Sequence, residues 1–227
     1  MKKSPLTSNQ INTLKWIALI TMVIDHTPRS LNIEGLTSDV TATIGRIAFP
    51  IFAFLIAHNY NFYSKNPKKY ITRLFIWGII SQPIYIYAFH NGYLNIILVL
   101  GLGLLLQKAM DDYELNKDKQ SLNNLIFSFI LSFSVGIFCS YGLLGVLLIP
   151  AFCLWIRNQD IYTFITLVII ILAINGFIGY AVIGLSVFPM LFILPKKNTL
   201  LHTSGWFFYL FYPLHLAILV IIRNLLQ

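Results

Sequence analysis

The stretch LKWIALITMVIDHTPRS, residues 14–30, decides how the chain is read. It carries an apolar run of the kind that enters a bilayer, then sets Asp25 and His26 side by side at its end, where hydrocarbon tolerates neither. Two questions follow from it: whether the rest of the chain is built of similar runs, and what the two polar residues meet.

Apolar runs recur to the C-terminus, separated by short polar breaks. Of the 227 residues, 57% are hydrophobic and 11% charged, against about 25% charged in a soluble domain. The expectation is one integral-membrane domain over residues 1–227, with no soluble module or linker. Lys2 and Lys3 precede the first run as in a signal peptide, but TPRSLN after His26 offers no small-residue cleavage site, so the run reads as a retained helix. Cys139 and Cys153 lack CxxC spacing and read as structural thiols. The net charge of +8 is spread in small groups between apolar runs, as the positive-inside rule produces, and nucleic acid is not expected as a partner. GLGLLL, residues 101–106, lacks the strand and helix of a dinucleotide fingerprint and reads as a close helix-packing element.

A hydrocarbon core of about 30 Å takes about 20 apolar residues per helix. The polar breaks divide the chain on that scale into segments 11–28, 40–63, 69–89, 93–110, 122–140, 142–157, 160–177, 180–194 and 203–224. The expected fold is all-α: a polytopic membrane helix bundle with about nine transmembrane helices, kinked by prolines. Lys2, Lys3, Lys15, Lys65, Lys68, Lys69, Arg73, Lys108, Lys117, Lys119, Arg157, Lys196 and Lys197 fall on one side of such a bundle, which is then cytoplasmic. Arg29 and Arg223 fall on the other. The N-terminus is expected inside and the C-terminus outside, with Arg46 the one arginine within the membrane.

Counting about 1.5 Å per residue from these ends brings Asp25 and His26, Arg46, Ser81 with Gln82, Asn95 and His215 to one level, the outer half of the bilayer. Buried polar residues in a membrane face the bundle interior and mark functional paths. Arg46 suits an ion pair with Asp25 and a catalytic role, and the two are compatible. His26 suits an interfacial helix end or a general base, and His215 a hydrogen-bonded bundle histidine or a binding residue. Asp25 and His26 lie about 100° apart on a helix, so different partners are expected. Assigning Asp25 to Arg46 leaves His26 free to accept a proton. Pro50, Pro83 and Pro213 free the carbonyls of Arg46, Ile79 and Tyr209, and Pro28 is expected to end the first helix; together they imply a polar, outward-opening cavity. His58 and His202 read as interfacial at cytoplasmic ends, and His90 at an outer end. The histidines lack a spaced ligand set, so no metal is expected.

LKWIALITMVIDH (14–26), IGRIAFPIFAFLIAHNY (44–60), SQPIY (81–85), YGLLGVLLIP (141–150) and FYLFYPLHLAIL (208–219) together resemble the TraX family of conjugal-transfer proteins, in order and over nearly the whole chain. The family's namesake N-acetylates F-type pilin. TraX proteins look related to a wider group of transmembrane acyltransferases, in which a histidine at the outer end of an early helix is catalytic. The resemblance implies that role for His26, with Arg46 and Pro50, Ser81, Gln82 and Pro83, and His215 as matching positions. His58 and Asn59 stand where an acidic residue and a glycine are expected, a departure at that corner. The implied location is the bacterial inner membrane.

The expected activity is acetyl transfer from cytoplasmic acetyl-CoA to an extracytoplasmic acceptor, a pilin-like amine or a sugar hydroxyl. His26, Asp25 and Arg46 are the catalytic candidates; Ser81, Gln82, Asn95, Tyr141, His215, Lys68, Lys69 and Arg73 are the substrate- and CoA-binding ones. Besides acetyl-CoA and the acceptor, the lipid bilayer is the partner. The alternative is a transporter or proton relay through Asp25, Arg46 and His215, although the chain shows no internal repeat.

Overall fold

Thr7 opens the first helix with a capping box. Its Oγ1 accepts from Gln10 N at 3.2 Å, and Gln10 Oε1 accepts from Thr7 N at 3.0 Å, which satisfies two backbone donors left over at a helix start. From there the computed structural model describes residues 4–176, 181–196 and 204–226. Helices follow one another as α1 (Ser8–Leu31), α2 (Leu36–Gly45), α3 (Ala48–Phe62), α4 (Pro67–Phe89), α5 (Ile96–Asn116), α6 (Lys119–Gly136), α7 (Gly142–Asn158), α8 (Ile161–Ile174), α9 (Ala181–Gly184), α10 (Val187–Ile193) and α11 (Gly205–Leu226). The fold is all-α. Among the described residues extended pairing amounts to one isolated bridge, Leu94 with Cys139. Lys2, Lys3, Lys197 and His202 lie outside the described residues.

Three expected helices differ, two of them for a reason that lies in a proline. Pro28 does not end α1; the helix continues to Leu31 and stops at Asn32, which adopts the left-handed conformation (φ 56°). A proline lacks only its own N–H and keeps its carbonyl. The Pro28 carbonyl here accepts the closing bonds from Asn32 N and, at 2.9 Å, from Ile33 N. The expected single helix 40–63 is instead α2 and α3, broken at Arg46–Ile47. That break puts Pro50 in the first turn of α3, where a missing N–H costs no internal bond. The 180–194 segment is likewise broken, into α9 and α10.

Two stretches, Asp39–Phe62 and Gly205–Leu226, are long and apolar enough to cross a membrane. α1 (24 residues), α4 (23) and α5 (21) have the length but carry charged side chains within it. α7, with 17 residues, and α8, with 14, fall short of the usual span.

The chain forms two compact units, each discontinuous in sequence: Met1–Leu55 with Pro83–Asn91 and Ile171–Gln227, and Ile56–Gln82 with Gly92–Ile170. In the first, α1 packs on α2 and α11. Leu14, Ala18, Met22 and Asp25 are buried at a spacing of four, four and three residues, so the carboxylate continues the stripe that faces the core. In the second, α5, α6 and α7 pack on one another. Gly103 makes the close crossing anticipated for GLGLLL: a Cβ there would stand 2.5 Å from the Val146 carbonyl on α7. Cys139 and Cys153 are buried free thiols.

Candidate functional site

The residues of the opening stretch meet the last helix. His26 Nδ1 lies 2.8 Å from His215 Nε2, and the two rings meet edge to edge and nearly coplanar, 5.2 Å between centroids and 13° between planes. His215 Nδ1 lies 3.0 Å from the Phe211 carbonyl, one turn back on α11. Phe89 and Tyr212 stand edge-on to the His26 ring, at 4.9 and 6.4 Å. The fourth ring atom of interest, His26 Nε2, is 4.0 Å from Asp25 Oδ2, beyond hydrogen-bond reach. Both histidine readings made from the sequence therefore converge on one object, an imidazole pair walled by aromatic rings.

Asp25 has a different partner from the one expected. Arg29 Nη2 stands 3.1 Å from Asp25 Oδ1, although Oδ1 receives no aligned hydrogen bond. The contact expected of Arg46 is thus made by an i,i+4 pair within α1, with Arg46 acting on Asp25 as a second, more distant positive charge. The cause is the extension past Pro28, which keeps residue 29 helical and one turn above Asp25 on the same face. Arg46 closes α2 as its C-cap and is half-buried. Its neighbour Gly45 explains the IGR sequence: a methyl group at Gly45 would land in the Asp25 side chain.

Arg223, expected at an outer flank, is buried. It falls on the His215 face of α11, eight residues on, and donates from Nη1 to Ser30 O (3.3 Å), Ala88 O (3.2 Å) and His90 Nε2 (2.9 Å), and from Nη2 to Tyr87 O (3.2 Å). Ser30 lies in the last turn of α1, and Tyr87 and Ala88 in the last turn of α4. A guanidinium with five donors thereby satisfies the carbonyls left over at two helix C-termini.

The second unit holds the other candidates. Gln82 and Asn95 form a clamp: Asn95 N and Nδ2 donate to Gln82 Oε1 at 2.9 and 2.8 Å, and Gln82 Nε2 donates to Tyr93 O at 2.8 Å. Asn95 Nδ2 also donates to Gly78 O at 2.7 Å, while its Oδ1 caps α5. These bonds close the α4–α5 turn. Ser81 is buried, with Oγ donating to Trp77 O at 2.6 Å. Tyr141 precedes α7 as its N-cap. Lys68 and Lys69 are exposed in the first turn of α4, and Arg73 follows on its second. His58 is buried against Phe62, 4.8 Å between rings, and not interfacial.

Residues 10–223 match the family described as TraX protein. The chain belongs to the TraX family. Among its relatives is a protein of Dichelobacter nodosus described as probable fimbrial assembly protein FimC, serogroup H1. The two are 25% identical over 241 residues, which cover 94% of this chain and 96% of that one. An uncharacterized protein of Rickettsia prowazekii (strain Madrid E) is 42% identical over 98 residues, 42% of this chain and 36% of its own. No solved structure matches. The TraX match takes in the His26–His215 pair, Arg223 and every candidate residue above.

A polar cluster that the sequence did not announce ties α3, α5 and α7 in the second unit. Asp111 Oδ1 accepts from Arg157 Nη1 (2.6 Å) and Gln107 Nε2 (2.7 Å), and Oδ2 from Arg157 Nη2 (2.7 Å) and the Tyr60 hydroxyl (2.6 Å). Arg157 Nε donates to Asn61 Oδ1 at 2.7 Å. Asp111 lies past the 93–110 apolar run. Burial alone would raise its carboxyl; the bonds from Arg157 and Tyr60 outweigh that and hold it below the ordinary range. The available signal was the spacing of Gln107 and Asp111, one turn apart on a helix.

Proposed function

We propose that this TraX-family chain is a multi-pass inner-membrane acetyltransferase, with about nine membrane segments, a cytoplasmic N-terminus and an external C-terminus. Acetyl-CoA is the donor on the cytoplasmic side; the acceptor, a pilin-like amine or a sugar hydroxyl, approaches from outside. The observation that carries the reading is the His26–His215 pair. Two imidazoles in hydrogen-bond contact beside a buried carboxylate supply a base and a charge to stabilise its protonated form. The relative described as a fimbrial assembly protein favours a pilus subunit as acceptor.

In the reaction, the imidazole of His26 takes the proton from the acceptor's N–H or O–H as its lone pair attacks the thioester carbonyl. The new C–N or C–O bond forms, the C–S bond breaks, and the imidazolium returns the proton to the departing CoA thiolate. Arg46 supplies positive charge to the developing oxyanion. Gln82, one of the binding candidates, already spends its carbonyl and one N–H in the clamp with Tyr93 and Asn95, which leaves it a positioning role. The exposed Lys68 and Lys69, with Arg73, take the CoA phosphates, and Tyr141 contributes to donor binding.

A proton relay is the second reading, because the same side chains form a short titratable chain. Reconstitution in sealed vesicles with radiolabelled acetyl-CoA separates the two. Label recovered on an enclosed amine acceptor supports transfer. Proton flux without thioester consumption sinks it. A reporter fused after Gln227 should be active only outside, and a cytoplasmic signal there would overturn the topology.

A further inference from the structure

The hydrogen bonds of the histidine pair fix more than its position. A carbonyl oxygen only accepts, so the 3.0 Å contact between Phe211 O and His215 Nδ1 places a proton on that Nδ1. In neutral His215 the other nitrogen, Nε2, is then an acceptor. His26 Nδ1, 2.8 Å from it, must donate. One nitrogen of the site is left with its lone pair, His26 Nε2. We infer that His215 is a positioning residue that holds His26 as the Nδ1–H tautomer, so that Nε2 is the atom that takes the acceptor's proton. The inference rests on the acetyl-transfer reading for its catalytic meaning, though not for the tautomer.

The chain Phe211 carbonyl, His215, His26 has the direction that a general base needs. When Nε2 receives a proton, His26 Nδ1 continues to donate to His215 Nε2, and that bond gains strength from the new charge. No hydrogen bond has to break or reverse. The added proton arrives 4.0 Å from Asp25 Oδ2, so the imidazolium meets a carboxylate on the side where it becomes charged. Arg29, paired with Asp25 Oδ1 at 3.1 Å, tempers that carboxylate. Phe89 and Tyr212 stand edge-on to the His26 ring, and so set the ring plane that the hydrogen bond alone leaves free. A free imidazole prefers its proton on Nε2, so without His215 the base would spend most of its time with the lone pair turned away from Asp25 and towards Nδ1.

Two variants separate acceptor from bulk. In His215→Gln the side-chain carbonyl reaches the place of Nε2 and still accepts from His26 Nδ1; in His215→Leu nothing accepts. Nitrogen resonances of 15N-histidine-labelled protein in detergent distinguish protonated from bare ring nitrogens. The wild type should show His26 bare at Nε2 at neutral pH, His215→Gln the same, and His215→Leu a shift of the proton to Nε2. With acetyl-CoA and an amine acceptor, His215→Leu should lose about 10- to 100-fold in kcat with KM little changed, and His215→Gln should recover most of that loss. The inference is overturned if wild-type His26 carries its proton on Nε2, if His215→Leu leaves the tautomer unchanged, or if glutamine is no better than leucine. Tautomer control without any acetyl transfer in the wild type would instead defeat the proposed function and leave the assignment of the nitrogens standing.

Discussion

The Asp25 and Asp111 carboxylates are both set among apolar helices, and they are built in opposite ways. Asp111 has each oxygen bonded twice, by a bidentate Arg157 and by Gln107 and Tyr60. Asp25 has an arginine at 3.1 Å and an oxygen that receives no aligned bond, beside a histidine nitrogen 4.0 Å away. A carboxylate with all its partners in place rigidifies what surrounds it, although the Gln107 Oε1 in the same cluster receives no bond. An unsaturated one retains capacity to take up a proton or a substrate. On the proposed function, Asp111 is architectural and the chemistry belongs to Asp25 with His26, a division that mutation can test.

The largest effect is expected at the unsaturated end. His26→Ala should lower the rate of acetyl transfer by about 10² to 10⁴, the contribution of a general base, while the protein accumulates and unfolds like the wild type. Activity assays paired with thermal unfolding in detergent measure both. A mutant that loses its fold together with its activity would make His26 structural and erase the contrast.

Arg157→Leu should do the reverse. It strands the Asp111 carboxylate with two neutral donors and should cost on the order of 3 kcal/mol of stability, seen as lower yield and an earlier unfolding midpoint. Turnover per folded molecule should stay within about twofold. A selective loss of turnover would move the Asp111 cluster to the functional side.

Glycine substitutions sharpen the comparison at smaller amplitude. Gly45→Ala puts a methyl group into Asp25, and Gly103→Ala puts one against the Val146 carbonyl. Each should cost about 1–3 kcal/mol from overpacking. Only Gly45→Ala should also lower kcat, because only it displaces a residue next to His26. Equal effects on kcat would mean that the Asp25 position does not matter to the chemistry.

Part of this was legible in the sequence. Asp25, His26 and His215 were found because polar residues at matched depth in apolar runs are costly and need each other, and two of the three meet directly. The Asp25 partner was misread because ending the helix at Pro28 removed Arg29 from the face it occupies; the i,i+4 spacing was present, but its use depended on a helix boundary. The burial of Arg223 is not read from the sequence because counting residues gives depth and not direction, whereas its eight-residue offset from His215 puts it on the inner face. The Asp111 cluster brings together residues 60, 61, 107, 111 and 157; the one-turn spacing of 107 and 111 is local, and nothing local relates that turn to positions 60, 61 and 157. The clamp role of Gln82 and Asn95 is not legible in the sequence because a turn clamp and a binding site use the same side chains.

The smallest predicted effect is a pH dependence confined to the saturated cluster. Because the folded carboxyl of Asp111 is held below its unfolded value, its contribution to stability is fully present above the unfolded value, about pH 3.9, and is lost as pH falls through the folded one. Asp118, whose carboxyl is also lowered, chiefly by the backbone hydrogen bond from Ser121 at the helix start it caps, would add acid sensitivity of the same sign. Comparing wild type with Asp111→Asn cancels it, since both proteins keep that cap. The stability difference between the two should be flat from pH 7 down to about 5 and should shrink as the medium approaches pH 3. A difference that instead changed between pH 5 and 7 would come from a histidine, and the Asp111 cluster could then no longer be read as saturated and silent at the pH of the reaction.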